Sequence, residues 1–247
     1  VNKESDSYLK SLQNNNIKPL TMVGEIISIF NSKSGHKNTR QYNNLKKIIL
    51  NNHYAHRLPS ISYAYGLVLG SELIGCLTIG KPASNSLCIG VCGKKYSSMV
   101  YELNRFWLKD GLPKNTASFF MSACLRDLDN IILVSYADSG MNHTGYIYQA
   151  SNWIYTGKTK QRTDKYVPSG KHSRHYNNEY DYLRKVRTSK YRYVFFAIHN
   201  KRLKTQLKTQ LNYTIEPYQK QENRKYKIGD TKKEQILNTI TGNVFFE

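Results

Sequence analysis

From about residue 21 onward, apolar and polar positions fall into blocks whose periods separate helices from strands. Tyr42, Leu45, Ile48 and Ile49 recur at helical spacing and predict a short amphipathic helix that ends near His53. SYAYGLVL and ELIGCLTIG are β-rich runs joined across Gly70-Ser71, which predicts an antiparallel hairpin. SLCIGVC reads as a further strand, and so does VYELNRFWL. The loop KDGLPKN then leads into TASFFMSACLRDL, where apolar positions return at i and i+4. NIILVSYAD is a continuous apolar run of the kind a buried central strand needs, and it ends on Asp138. GYIYQASN reads as a short helix and WIYTGKT as a strand. After an irregular polar stretch from 158 to 188, KYRYVFFAIH supplies a last strand. Strands alternating with helices in this way define an α/β chain on a mixed sheet. The Asn cluster at 14 to 16 and Pro19 set residues 1–20 apart as a polar tail. Residues 21–200 then form the predicted α/β domain, and 201–247 a basic C-terminal extension.

Charge changes the picture most. The 247 residues are enough to bury a real core, and they hold 37 Lys and Arg against 17 Asp and Glu, a formal net charge of +20. From 158 to the end, 21 residues are basic and 8 acidic. An excess of this size points to a polyanionic partner, nucleic acid first, with a merely solvated basic surface as the alternative. Many of the 20 tyrosines are interleaved with Lys and Arg, as in KYRYVFF, and suit base stacking beside phosphate contacts. Four cysteines, at 76, 88, 92 and 124, are too few and too scattered for a disulfide framework, so reduced thiols are expected. The polar start and the lack of any long apolar run predict a soluble, cytoplasmic protein with no membrane partner.

Several residues are placed to carry chemistry. The turn Leu112-Pro113-Lys114-Asn115-Thr116 enters a helix whose free N–H groups suit a phosphate, with Asn115 or Thr116 as the expected cap. Asp138 ends an apolar strand, where a sheet of this type has its ligand crevice; it reads equally as a proton acceptor for an amine or as a turn residue. His143 follows in a loop. His53 and His56 have a spacing that can serve a metal but lack a third ligand. Cys88 and Cys92 fit a strand in the core better than a metal site. Arg105, read by period-2 alternation onto the face of Leu103 and Trp107, requires an acid such as Glu102 or Asp138, or a bound anion.

The blocks ELNRFWLKDGLPKNTASFFMSACLR (102–126) and VSYADSGMNHTGYIYQASNWIYTGKT (134–159) resemble the Mom family of phage DNA-modification proteins, and the resemblance runs from about Met22 to Phe196. It implies a divergent GNAT-like, acetyltransferase-type α/β fold with a mostly antiparallel sheet flanked by helices. It also implies a transferase that places a methylcarbamoyl (carbamoylmethyl) group on adenine N6 in double-stranded DNA and protects that DNA from host restriction. By motif, the functional positions it implies are His53, Arg105, Asp138 and Tyr148. Asn115, Thr116 and Ser118 are the implied cofactor turn, and His143 follows Asn142 where relatives have Gly. Acyl-CoA (acetyl-CoA) is the implied cofactor, with a metal ion such as iron at His53 a further expectation. A homodimer is kept open. The competing readings are a non-catalytic basic DNA-binding protein and an N-acyltransferase acting on RNA or protein amines.

Overall fold

The computed structural model describes residues 24–168, 176–219 and 234–246. The predicted polar tail, and residues 220–233 and 247 of the predicted extension, lie outside the described residues. The chain opens with β1 (Glu25–Asn31) and β2 (His36–Lys37), followed by α1 (Thr39–Asn52). Next come the hairpin β3 (Tyr63–Leu69) and β4 (Glu72–Gly80), α2 (Asn85–Cys92) and β5 (Val100–Leu108). The central alternation is α3 (Thr116–Arg126), β6 (Ile131–Asp138), α4 (Tyr146–Ala150) and β7 (Ile154–Lys158). β8 (Arg162–Lys165), β9 (Leu183–Arg187), β10 (Lys190–Ala197) and α5 (Lys201–Thr209) follow, and β11 (Gln235–Asn238) and β12 (Val244–Phe246) close the chain.

Eight strands form one sheet in the order β2-β1-β3-β4-β5-β6-β10-β7, and four form a smaller one, β12-β11-β9-β8. The expected mixed, mostly antiparallel α/β class is therefore observed: every pairing is antiparallel except β5 with β6. That parallel pairing lasts only from Val100↔Ile132 to Glu102↔Val134. Beyond it the two strands part, and the C-terminal half of each faces a gap. α3 and α4 cover one face of the sheet, with Phe120, Met121, Cys124, Tyr148 and Trp153 packed on Leu77, Leu103 and Leu133. α1 covers part of the other through Leu45 and Ile49 against Cys76 and Trp107. α2 and α5 cover the rest of that second face, over Val100, Ile132 and Val194.

Three expectations need correction. SLCIGVC is a helix, α2, not a strand: Ser84 accepts from Leu87 N–H at 3.2 Å, and the buried Cys88, Val91 and Cys92 have i, i+3, i+4 spacing. The two cysteines are core residues all the same, as all four free thiols are. Residues 158–188 are not irregular throughout, because β8 and β9 pair there, with Arg187 bound to Asp164 at 2.6 Å. Their basic sequence hides the strand pattern. Arg105 shares a face with Trp107 but not with Leu103. The β4–β5 register slips between Thr78↔Arg105 and Ile79↔Leu103, so Asn104 is an extra residue that reverses the alternation. Past residue 200, Leu207 of α5 is fully buried in the core on the second face.

Candidate active site

The bulge at Asn104 turns Arg105 onto the second face, into the space between α1 and the α2–α5 layer. Asn104 is itself fixed there: Thr78 Oγ1 donates to its Oδ1 at 2.6 Å, and its Nδ2 donates to Ser60 O at 2.8 Å. The Arg105 guanidinium donates to Arg57 O from Nε (3.2 Å) and Nη2 (2.9 Å), and to Asn104 O from Nη1 (2.6 Å). It thereby ties the segment after α1 to the sheet. No ion pair to Glu102 or Asp138 holds it; carbonyl oxygens do.

His53 is the C-cap of α1 and only 4% exposed. Its Nδ1 accepts the Ala55 N–H at 3.1 Å, and its ring stacks on Tyr54 with centroids 4.5 Å apart. Burial first, then the charges of Arg105, His143 and His56, push its pKa down to about 3, so it is neutral at physiological pH. Tyr54 in turn meets His143 edge-on at 5.8 Å. Its hydroxyl pKa is raised by burial and by the charge of Asp138, against the opposing charge of Arg105. Burial also lowers His143, against the pull of Asp138.

Asp138 is 5% exposed at the end of β6. Its Oδ1 accepts from Gly140 N–H at 2.9 Å and from Thr188 Oγ1 at 2.7 Å, and its own carbonyl accepts the His143 N–H at 3.1 Å. Asn142, at φ 56°, takes the left-handed conformation that this tight loop requires and that Asn tolerates well. Both readings of Asp138 thus meet in one residue, a cap whose carboxylate is held in a fixed orientation. Glu102 joins the same face. Burial raises its pKa against the charges of Lys190 and Arg105.

Tyr148 does not join this cluster. It packs on the opposite face among Trp153 and Tyr193, with centroids at 5.1 and 5.0 Å, and burial raises its pKa. Its hydroxyl reaches the gap: Ser135 Oγ lies 2.7 Å from it and 2.7 Å from Leu103 O, spanning β6 and β5 where their ladder has ended. The cofactor turn lies at the same end of the strands, because β5 and β6 run parallel and α3 starts just past β5. The expected side-chain cap is absent from it. Asn115 is the N-cap in a left-handed conformation (φ 69°, ψ 0°) without a side-chain cap bond. Thr116 Oγ1 donates to Pro113 O at 2.7 Å and Ser118 Oγ to Asn115 O at 3.0 Å. An anion at this turn would meet backbone N–H groups.

A metal at His53 does not fit the residues present. With Nδ1 accepting a backbone N–H, the ring proton sits on Nε2, the reverse of a metal-binding imidazole, which donates from its far nitrogen. His56 directs Nδ1 to Leu50 O at 2.8 Å. Among the described residues no group of three or more His, Cys, Asp or Glu could hold a metal ion. Sequence reasoning missed Tyr54 and gave Glu102 only a partner's role; the adjacency of Tyr54 to His53 was the available signal.

The site and sheet together define a transferase-like α/β protein whose candidate site residues lie on both faces of the sheet where two parallel strands part. The chain belongs to the Mom protein family, whose profile matches residues 39–220. It is 28% identical over 196 residues to the methylcarbamoylase Mom of Escherichia phage Mu, an alignment covering 71% of this chain and 79% of that protein. Among solved structures it is similar to an N-acetyltransferase from Staphylococcus aureus Mu50 (12% identity, 70% of this chain and 97% of the other, TM-score 0.40). It is similar also to a GNAT family acetyltransferase from Elizabethkingia anophelis with acetyl-CoA bound (10% identity, 70% and 97%, TM-score 0.32).

Proposed function

We propose that this protein modifies DNA by placing a methylcarbamoyl-type group on adenine N6 in the duplex, protecting that DNA from restriction. The observation that carries the reading is the convergence of Tyr54, Arg105, Asp138 and His143 around neutral His53 on one side of the β5–β6 gap. The adenine amino group is paired and stacked in a duplex, so the base must be extruded to reach such a site. There Asp138, its orientation fixed by Gly140 and Thr188, receives or aligns the amino protons. Tyr54 offers a ring for the base to lie against, and Arg105 keeps the Tyr54 segment in place through Arg57 O.

The donor approaches from the other face. An acyl-CoA suits the start of α3, whose first-turn N–H groups lack a side-chain cap and can face a pyrophosphate. When bound, such a donor supplies an activated carbon; a carbamoylmethyl group joins nitrogen through its methylene, so plain acetyl transfer is not sufficient. The Tyr148 hydroxyl, held at Ser135 in the gap, offers a hydrogen bond or a proton at this point. Mass spectrometry of nucleosides from a bacterium expressing the protein tests the proposal: a heavier adenine species is expected, and unchanged nucleosides under good expression overturn it.

A further inference from the structure

The two chain segments beside Asp138 lead out of the main sheet. Lys190, the first residue of β10, pairs with Asp138, the Thr159 N–H donates to Lys190 O at 2.8 Å, and both segments lead on to the β8–β9 pair of the smaller sheet. The turn between β9 and β10 is bonded to the site itself: Thr188 Oγ1 reaches Asp138 Oδ1 at 2.7 Å, and Ser139 Oγ donates to Ser189 O at 2.6 Å. The β8–β9 ribbon, one side of the four-stranded smaller sheet with β8 as its free edge, therefore springs from the carboxylate of the candidate site.

That ribbon is strongly basic. Residues 158–165 and 183–192 hold nine Lys and Arg, with Asp164 as their one acid. Lys158, Lys160, Arg162 and Lys165 are exposed. Arg162 and Arg187 stand directly opposite each other across the two strands, where like charges are destabilising. They share the Asp164 carboxylate, at 3.9 and 2.6 Å, which leaves one positive charge of the pair uncompensated by it. An anion brought from outside would relieve the repulsion.

We propose that this ribbon is the arm that holds duplex DNA across the site, with Lys160, Arg162 and Lys165 on backbone phosphates. The inference rests on the reading of the protein as an enzyme of DNA. Its basic groups supply affinity and register rather than base choice, because phosphate contacts carry no sequence information. An arm anchored at Asp138 also couples grip to chemistry, since the element that holds the backbone is bonded to the residue that meets the extruded base.

The test compares the full chain with its Lys160→Ala/Arg162→Ala/Lys165→Ala variant, and with Lys33→Ala/Lys94→Ala/Lys95→Ala as a charge-matched control remote from the arm. Binding to a fluorescent 30-base-pair duplex of arbitrary sequence is measured across a salt series, with thermal melts and solution mass alongside. The arm variant is expected to lose on the order of tenfold or more in affinity near 0.15 M salt, and its log–log salt slope to flatten by about 2 to 3, near one unit per lost phosphate contact. The control and both melting temperatures are expected to stay as in the wild type. If the wild type binds and the arm variant keeps its affinity and slope, the arm is not the docking surface although the DNA reading stands. If the wild type shows no salt-dependent binding, both fail. An arm variant with unchanged DNA binding but altered mass would instead make the small sheet, with its exposed Val244, Phe245 and Phe246, a contact between copies of this chain.

Discussion

Asp138→Asn separates the structural and chemical duties of this residue, because the substitution keeps the acceptor and removes the charge. Oδ1 accepts two hydrogen bonds, from Gly140 N–H and Thr188 Oγ1. Bonds to a charged group contribute about 1.5–3 kcal/mol and neutral ones about 0.5–1.5 kcal/mol, so the change costs about 1 kcal/mol for each, or about 2 kcal/mol in all. Asn ranks with Asp as a cap, which keeps the figure at that level. For a chain of this size the melting temperature then falls by about 4–8 °C. Asp138→Ala, which leaves a buried N–H and a hydroxyl without their acceptor, costs about 3–5 kcal/mol. Loss of a positioned proton acceptor lowers a rate by about 10²- to 10⁴-fold. The Asn variant should therefore fold and bind DNA, yet leave modified adenine at least about a hundredfold scarcer by nucleoside mass spectrometry. A stability loss equal to that of the Ala variant would make Asp138 a cap alone, and modification at the wild-type level would remove its charge from the chemistry.

Tyr148→Phe keeps the ring packed on Trp153 and Tyr193 and removes the hydroxyl beside Ser135. It should cost about 1 kcal/mol of stability and abolish modification without changing DNA affinity; retained modification would exclude the proton role. Asn115→Gly should be neutral or slightly stabilising at φ 69°, while Asn115→Ala costs about 1–2 kcal/mol, as urea melts of the pair would show. His53 is held at about 3 against 6.5 in the unfolded chain, so its stabilising share is complete above pH 6.5 and is lost as pH falls from there toward 3. Unfolding measured at pH 7.5 and pH 5 should show that loss, and His53→Gln should flatten it. An equally steep loss in the variant would assign it to other groups.

Elements with a clean period were legible in the sequence. The β3–β4 hairpin, α3 and the apolar run of β6 all stand where periodicity put them, because each buries one continuous face. α2 was misread since a seven-residue apolar run carries no period that separates strand from helix, and only the capping bond of Ser84 decides it. β8 and β9 are held by ladder bonds, a shared carboxylate and a small cluster of Tyr166, Leu183 and Ile236, too few apolar positions to give a strand its period in the sequence. The site was legible in its charged members, Arg105 and Asp138, and in His53. What the sequence could not show is the one-residue bulge at Asn104, which decides the face that Arg105 reaches, and hence its meeting with Tyr54 rather than with Leu103.

That bulge also explains how one sheet can serve two reactants. Arg105, Asp138 and Glu102 lie on the face between α1 and the α2–α5 layer, while Tyr148 and the start of α3 lie on the other. A closed ladder between β5 and β6 would keep them apart. Pairing ends at Glu102↔Val134, so the next backbone groups of β5 are released, and the Leu103 carbonyl takes its hydrogen bond from the Ser135 side chain. The same hydroxyl meets Tyr148. Ser135 therefore replaces a rung of backbone with a side-chain bridge that satisfies a buried carbonyl and still leaves the strands parted. On the proposed reading, a base entering from one face and a donor from the other would come within reach of each other only through such an interruption, and the parallel pair is where this sheet supplies it.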